Sequence, residues 1–206
     1  ERINEYFPAG RYSTVPFAPN KGEHPRLLIN KETIPQIKEN FTKAQNISAY
    51  NSFLEDLKVE TDGLLPSKGN ADNFDTKVLQ TIQSYAFQAV MYNDEAYALK
   101  AKNAIINFVK SVVPVTTGTN PERKCGDVIY TACLVYDWTY KYWSDAEKEE
   151  LMASLLSISK LIVDYSDFLN RDKSSVGEWA QGFYGSHGGE GVNLRDFLSL
   201  GLAFYD

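Results

Sequence analysis

The apolar residues in the middle of the chain recur with the period of an α-helix. Between residues 78 and 90, and again between 97 and 112, they return every three or four positions, which is typical of a helix with one buried face. The two stripes are Val78, Leu79, Ile82, Tyr85, Ala86, Ala89 and Val90, then Tyr97, Ala101, Ala104, Ile105, Phe108, Val109 and Val112. Asn93 and Asp94 interrupt the pattern, and both residue types favour turns and helix starts. We therefore predict two helices joined by a short turn.

Helix signals also precede this pair. Pro35 suits the first turn of a short helix that Thr33 or Asn30 would cap. Residues 47–60 indicate a second helix. Residues 1–30 contain four prolines among aromatic residues, so we expect them to form an extended arm laid over the surface.

The second half of the chain continues the helical pattern. We predict a loop over residues 114–124, a buried helix over 126–142, and a helix after the capping box that Ser144 and Glu147 form. Asn193, with Asp196 three residues later, indicates the start of a final helix. Strand signals are nearly absent, so the predicted fold is all-α, with six or seven helices in antiparallel neighbouring pairs.

Charge excludes several classes of function. The 206 residues include 21 Lys and Arg against 27 Asp and Glu, which gives a net charge of -6. A nucleic-acid or acidic-membrane binder would show a basic face, so we expect neither partner. No apolar run approaches the ~18 residues of a membrane span.

The two cysteines are predicted to remain buried thiols. Cys125 and Cys133 lie eight residues apart in a predicted helix, which separates their Cα atoms by ~12 Å, whereas a disulfide needs less than ~7 Å. Their spacing matches no zinc motif, and the chain has two histidines. We predict no metal and no cofactor.

The ends of the chain suggest a longer protein. It begins at Glu1 without Met and stops inside an apolar periodic stretch. We therefore expect a piece of a larger chain.

The candidate site lies between residues 177 and 193. Four glycines occur within seven residues there, and such a loop lets backbone approach a ligand closely. His187 and Glu190 are the strongly titratable side chains of the glycine-rich stretch 185–191 and are the candidate catalytic residues, because both can exchange protons. The candidate substrate-binding residues are Trp179, Tyr184, Asn193 and, from another segment, Trp138.

Plainer interpretations stand beside these. A His near a Glu often forms only a structural hydrogen bond, and aromatic residues at helical spacing, such as Trp138, are usually core. His24, in the proline-rich arm, is typical of a structural or solvent contact.

Several segments together resemble one known family, the heparinase II/III-like polysaccharide lyases, in their N-terminal helical, alginate-lyase-like domain. The likeness runs from about residue 24 to the end, and its four motifs occur in the family's order. They are His24–Ile29 before Lys31–Ile37, then Asn93–Ala101, then Val135–Tyr140 leading to Ser144–Lys148, and finally Gly185–Gly191 with Leu194–Asp196.

The resemblance implies an (α/α) toroid over residues 31–206, incomplete at its C-terminal end, behind the extended arm of residues 1–30. It also implies β-elimination on a uronic-acid polysaccharide, with His187 as base or charge neutraliser and Glu190 sharing a proton with the uronate or orienting the sugar. The family's catalytic Tyr and second His would lie beyond residue 206, so we expect the chain alone to be inactive. Downstream domains, an acidic polysaccharide substrate and a periplasmic or extracellular location follow as expectations.

Binding an acidic sugar requires a positive patch. Candidates for it are Arg123, Lys124, Arg171, Lys173 and Arg195. Two alternatives remain. A glycoside hydrolase would need two carboxylates ~5 to 9.5 Å apart, for which Glu178 and Glu190 are the available pair. A non-catalytic carbohydrate-binding helical domain would need neither.

Overall fold

A computed structural model describes residues 20–59, 76–112, 121–171 and 189–205. These residues form α-helices and short 3-10 turns, with no strand among them, which confirms the predicted all-α class for the described part. The α-helices are α1 (Ile34–Phe41), α2 (Ile47–Asp56), α3 (Thr76–Tyr92), α4 (Glu95–Ser111), α5 (Pro121–Trp138), α6 (Asp145–Arg171) and α7 (Gly189–Ala203).

The predicted break between α3 and α4 is confirmed. Asn93 adopts a left-handed backbone conformation with φ of 57°, which Asn tolerates better than most residues. The Asp94 side chain then accepts a hydrogen bond from the Tyr97 amide at 3.2 Å. This bond satisfies one of the unpaired N–H groups at the start of α4.

The predicted capping box at the start of α6 is also confirmed. The Ser144 amide donates to Glu147 Oε2 at 2.8 Å, and the Glu147 amide donates to Ser144 Oγ at 3.3 Å. At α1, Pro35 occupies the first turn as expected, but the Thr33 side chain caps no helix amide. Asn30 Oδ1 instead accepts from the Glu32 and Thr33 amides, just before the helix.

Four predicted boundaries differ from the structure, and one of them is the end of α5, which lies at Trp138 rather than at residue 142. α2 ends at Asp56 rather than at residue 60. α5 begins at Pro121, inside the predicted loop over 114–124, because proline suits the first position of a helix. α7 begins at Gly189 rather than at Asn193. The helix therefore includes Gly189 and Gly191, two residues of the predicted glycine-rich loop.

α5 occupies the centre of the molecule. It packs against α3, α4, α6 and α7, and its apolar residues Val128, Ile129, Ala132 and Val135 are completely buried. The segment before α1 lies against it as well, with Leu27 and Ile29 buried. Residues 20–30 thus lie against the helices, while residues 1–19 of the predicted arm lie outside the described part, so the arm stays a prediction.

The outward face of α7 is apolar. Leu194 is 66% exposed, Leu198 is 56% exposed and Tyr205, just after the helix, is 44% exposed. Gly201 falls between them on the same face, with open space beside its Cα.

Candidate functional site

The structure reaches only part of the site predicted from the sequence. Trp179, Tyr184 and His187 lie outside the described residues. Glu190 and Asn193 lie in the first five residues of α7, where the backbone is described and the side chains are not. The final helix, predicted to start at Asn193, therefore begins at Gly189, next to Glu190.

Trp138 is described in full, and its contacts are those of a packing residue. The indole Nε1 donates to the Leu27 carbonyl at 2.9 Å, and the ring meets Phe87 with centroids 6.0 Å apart. Since the one polar atom of the indole is bonded to the chain itself, Trp138 has no donor left for a sugar hydroxyl. A sugar could use only the remaining exposed part of its ring.

The described polar groups closest in sequence to Glu190 form a cluster between α5 and α7. The Arg195 guanidinium lies 2.8 Å from Asp127 Oδ1 and 2.6 Å from Asp196 Oδ1. Its carbon atom Cζ lies 4.3 Å from the centroid of the Tyr130 ring, within cation–π range. One cation of α7 thus contacts two carboxylates and an aromatic ring.

Asp196 is the unusual member of this cluster. Its side chain is completely buried, and its second oxygen, Oδ2, has no hydrogen-bond partner within the part of the chain that the structure describes. Burial raises the pKa of Asp196 to about 6, because a buried carboxylate loses its hydration. Arg195 lowers that pKa, and the Asp127 charge raises it.

Gly126 makes room for this carboxyl group. A Cβ atom added at Gly126 would lie 1.9 Å from Asp196 Oδ2, far inside van der Waals contact. Asp196 Oδ2 therefore occupies the place that a side chain of α5 would otherwise fill. Only glycine at position 126 permits this approach of the two helices.

The same face of α5 carries a buried thiol and a third acid. Gly126, Tyr130, Cys133 and Asp137 are spaced by four, three and four residues, so they form one stripe along the helix. Burial raises the pKa of the Cys133 thiol strongly, and the charges of Asp196 and Asp137 raise it further. Cys133 is thus an unreactive thiol, and the prediction that both cysteines are buried and form no disulfide is confirmed.

Asp137 holds the segment before α1. Its carboxylate accepts hydrogen bonds from the Arg26 amide at 2.9 Å, the Leu27 amide at 2.8 Å and His24 Nδ1 at 2.6 Å. The His24–Pro25 peptide bond between these donors is cis.

The contacts of His24 define its tautomer. Arg26 Nη2 lies 3.0 Å from His24 Nε2, and because a guanidinium can only donate, Nε2 accepts. Nδ1 is therefore the nitrogen that donates to Asp137. The ring also stacks on Tyr140, with centroids 3.8 Å apart. Both nitrogens are bonded within the protein, which agrees with the structural role expected for His24.

Of the predicted positive patch, only Arg195 is described, and it does not supply free positive charge. Two carboxylates contact its guanidinium, so an acidic sugar would have to compete with them. The side chains of Arg123, Lys124, Arg171 and Lys173 lie outside the described part.

The interactions of Asp127, Asp137 and Asp196 were not predicted from the sequence. Asp137 interrupts the apolar run of the predicted buried helix, and a charged residue there is rarely buried without a partner. The place of Asp137 within an apolar helix was therefore the sequence feature that could have indicated its structural role. Asp127 and Asp196 gave no such signal, because their meeting depends on how α5 and α7 pack.

Within the described residues, no group of three or more His, Cys, Asp or Glu side chains is placed to hold a metal ion. Among the described helices, none combines the length and the apolar character needed to cross a membrane. Comparison with protein-family models and with curated proteins finds no match to this chain.

Proposed function

We propose that this chain is the N-terminal helical part of a polysaccharide lyase that cleaves a uronic-acid-containing polysaccharide by β-elimination. Its helices would form part of an (α/α) toroid, and the complete protein would act outside the cytoplasm, where polymeric sugars are met.

The observation that carries the proposal is that the motifs of the family resemblance contact one another. His24 and Leu27, from the first motif, bond to Asp137 and Trp138 of the third. The Arg26 guanidinium donates to the carbonyl of Leu202 in α7 at 3.2 Å, and α7 contains the end of the fourth motif. Segments that contact one another in this way are what a shared fold requires, since isolated matches would be scattered over the surface.

The proposed chemistry begins with the acidity of the sugar. The hydrogen at C5 of a uronate becomes acidic enough to remove only when the neighbouring carboxylate is neutralised. In the proposal, Glu190 shares a proton with that carboxylate, and the helix N-terminus at Gly189 favours its negative charge. His187 removes the C5 proton or completes the neutralisation, and an acid protonates the leaving glycosidic oxygen.

The remaining assignments concern substrate binding. Trp179 and Tyr184 would offer flat apolar faces to sugar rings, and Asn193 would donate or accept hydrogen bonds. The tyrosine and second histidine of the family have no counterpart in this chain. The proposal therefore predicts that the chain alone binds the polysaccharide but does not cleave it.

The test measures ultraviolet absorbance from the double bond that β-elimination creates. Alginate and glycosaminoglycans would be incubated with the chain alone and with the complete gene product that contains it. We expect product from the complete protein only, and loss of at least a hundredfold in kcat/KM for His187→Ala and Glu190→Gln. The exposed carboxylate Glu149 provides the matched control, and Glu149→Gln should keep full activity.

Three outcomes would contradict the proposal in different ways. Unsaturated product from the chain alone would show that the site is not divided. Cleavage without a new double bond would indicate a hydrolase, with Glu178 and Glu190 as its candidate pair. Unchanged activity of the complete protein after both substitutions would leave this chain as a non-catalytic domain.

A further inference from the structure

The interface between α5 and α7 contains more acid than base. From α5, Asp127, Tyr130 and Cys133 face the cluster, and from α7, Arg195 and Asp196 do. The pKa values of Tyr130 and Cys133 are both raised, so these two groups stay neutral near pH 7. When both carboxyl groups are ionised, one guanidinium faces two negative charges, and the cluster carries a net charge of about -1.

The excess charge falls where the protein cannot stabilise it. Asp127 is 42% exposed at its side chain, so water can hydrate it, whereas Asp196 is completely buried. Asp196 Oδ1 contacts Arg195, but Oδ2 has no hydrogen-bond donor among the described residues. Oδ2 instead lies against the backbone of α5 in the notch at Gly126. A buried, unpaired carboxylate oxygen costs free energy that a neutral carboxyl group avoids.

From this geometry we propose that protonation of Asp196 controls how tightly α7 packs against α5. We call this pH-dependent interface the joint. With Asp196 neutral, α7 is closed against the notch at Gly126. With Asp196 ionised, the carboxylate favours water, and α7 loosens from α5. The joint would operate whether or not the chain acts on a polysaccharide.

Such loosening would extend along α7. Asp196 lies six residues after Glu190 in one continuous helix. A change in how α7 sits on α5 therefore moves the backbone of Glu190 as well. At acidic pH this part of α7 would stay packed against α5, and at mildly alkaline pH it would separate from α5.

Hydrogen exchange of the α7 amides, followed by mass spectrometry and corrected for the intrinsic effect of pH, tests the joint on this chain as it stands. If Asp196 has its ordinary pKa in the open state, the protection of α7 should fall about tenfold between about pH 5 and pH 8. Asp196→Asn, which imitates the neutral acid, should show protection that does not change with pH.

Further variants identify the group responsible. Asp145→Asn, at a carboxylate that is 95% exposed, should keep the full tenfold response. Asp127→Asn should keep a fall in protection, because Asp196 is still present. Asp196→Ala, which carries no charge and fills less space, should again show a flat profile, and it covers the case in which the Asn variant does not fold.

The result that would overturn the proposal is equally definite. A wild-type profile that does not change with pH would exclude the joint. So would a tenfold fall that persists in both Asp196 variants, or one that only Asp127→Asn removes.

Discussion

Asp137 shows how much of this fold depends on single acceptor atoms. It is completely buried and gathers donors from His24, Arg26 and Leu27, which lie about 110 residues away in the chain. Charge-assisted bonds of this kind are about twice as strong as neutral ones. Asp137 therefore fixes the segment before α1 to the end of α5, together with the hydrogen bond from Trp138 to the Leu27 carbonyl.

Asp137→Asn should destabilise the protein by about 2–4 kcal/mol. The new amide nitrogen would face N–H groups that need an acceptor, and one of them would be left buried without a partner. Urea unfolding, followed by circular dichroism, measures the free energy of unfolding. Asp145→Asn, at an exposed site, should remain within about 0.5 kcal/mol of wild type, and an equally small effect of Asp137→Asn would refute the role given to it.

Single residues were predicted from the sequence to different degrees. The state of Cys125 and Cys133 followed from helical geometry alone, because eight residues of helix separate the thiols. The unpaired oxygen of Asp196 could not be predicted, since it depends on where α7 crosses α5. The roles of His187 and Glu190 stay predictions.

Among the helices, the start of α6 is connected to α4 by a partly buried ion pair. Lys102 Nζ lies 2.7 Å from Glu147 Oε1, and it also donates to the Tyr142 carbonyl at 3.0 Å. The hydrogen bond from Lys102, followed by that from the Ser144 amide, lowers the pKa of Glu147 to about 2. The capping box thus also joins two helices.

Glu147→Gln should lower the free energy of unfolding by about 1–2 kcal/mol at pH 7, a figure reduced because Glu147 is partly exposed. The folded-state pKa lies below the ordinary value of 4.5. The stabilisation is therefore fully present above that value and is lost as the pH falls towards 2.

Chemical denaturation of Glu147→Gln and wild type at several pH values checks this expectation. The difference between them should shrink as the pH falls below about 4. Glu150 lies on the same helix as Glu147 and forms an exposed ion pair with Lys110 of α4, and Glu150→Gln should cost less than about 0.5 kcal/mol. A difference between Glu147→Gln and wild type that is independent of pH would contradict the role of the charge.

Helix positions were predicted well where a cap or turn residue signals them. Asn93–Asp94 and Ser144–Glu147 mark the starts of α4 and α6, because each contains a side chain that bonds a helix amide. The starts of α5 and α7 were wrong by several residues. Pro121 was assigned to the loop although proline suits the first position of a helix, and Gly189 is not distinguished by sequence from the other glycines of the adjoining loop.

For the molecule as a whole, the apolar periodicity of residues 78–112 was sufficient to predict an all-α fold with helices in pairs. It could not predict that α5 would be central, because that depends on contacts between distant segments. The toroid also stays a prediction. The periodicity of α7 did not predict that the apolar face with Leu194 and Leu198 is exposed to water.

The double substitution Leu194→Gln, Leu198→Gln should leave the free energy of unfolding within about 0.5 kcal/mol of wild type, because both side chains are mostly exposed. Removing this apolar face should also increase solubility. Denaturation measures the free energy of unfolding, and sedimentation velocity detects the aggregation that accompanies low solubility. Leu155→Gln, at a completely buried position of α6, is the contrasting control and should cost several kcal/mol. A large loss of stability in the double variant would show that the face is covered in solution.

The burial of both cysteines has a practical consequence for kinetics. The chain contains two sulfhydryl groups, and both lie in the interior along α5. A maleimide dye added to native protein can couple only during the intervals in which this central helix separates from its neighbours. When the dye is concentrated enough for coupling to outpace reclosing, the rate of coupling equals the rate of opening, so the two native thiols report how often the centre of the protein opens.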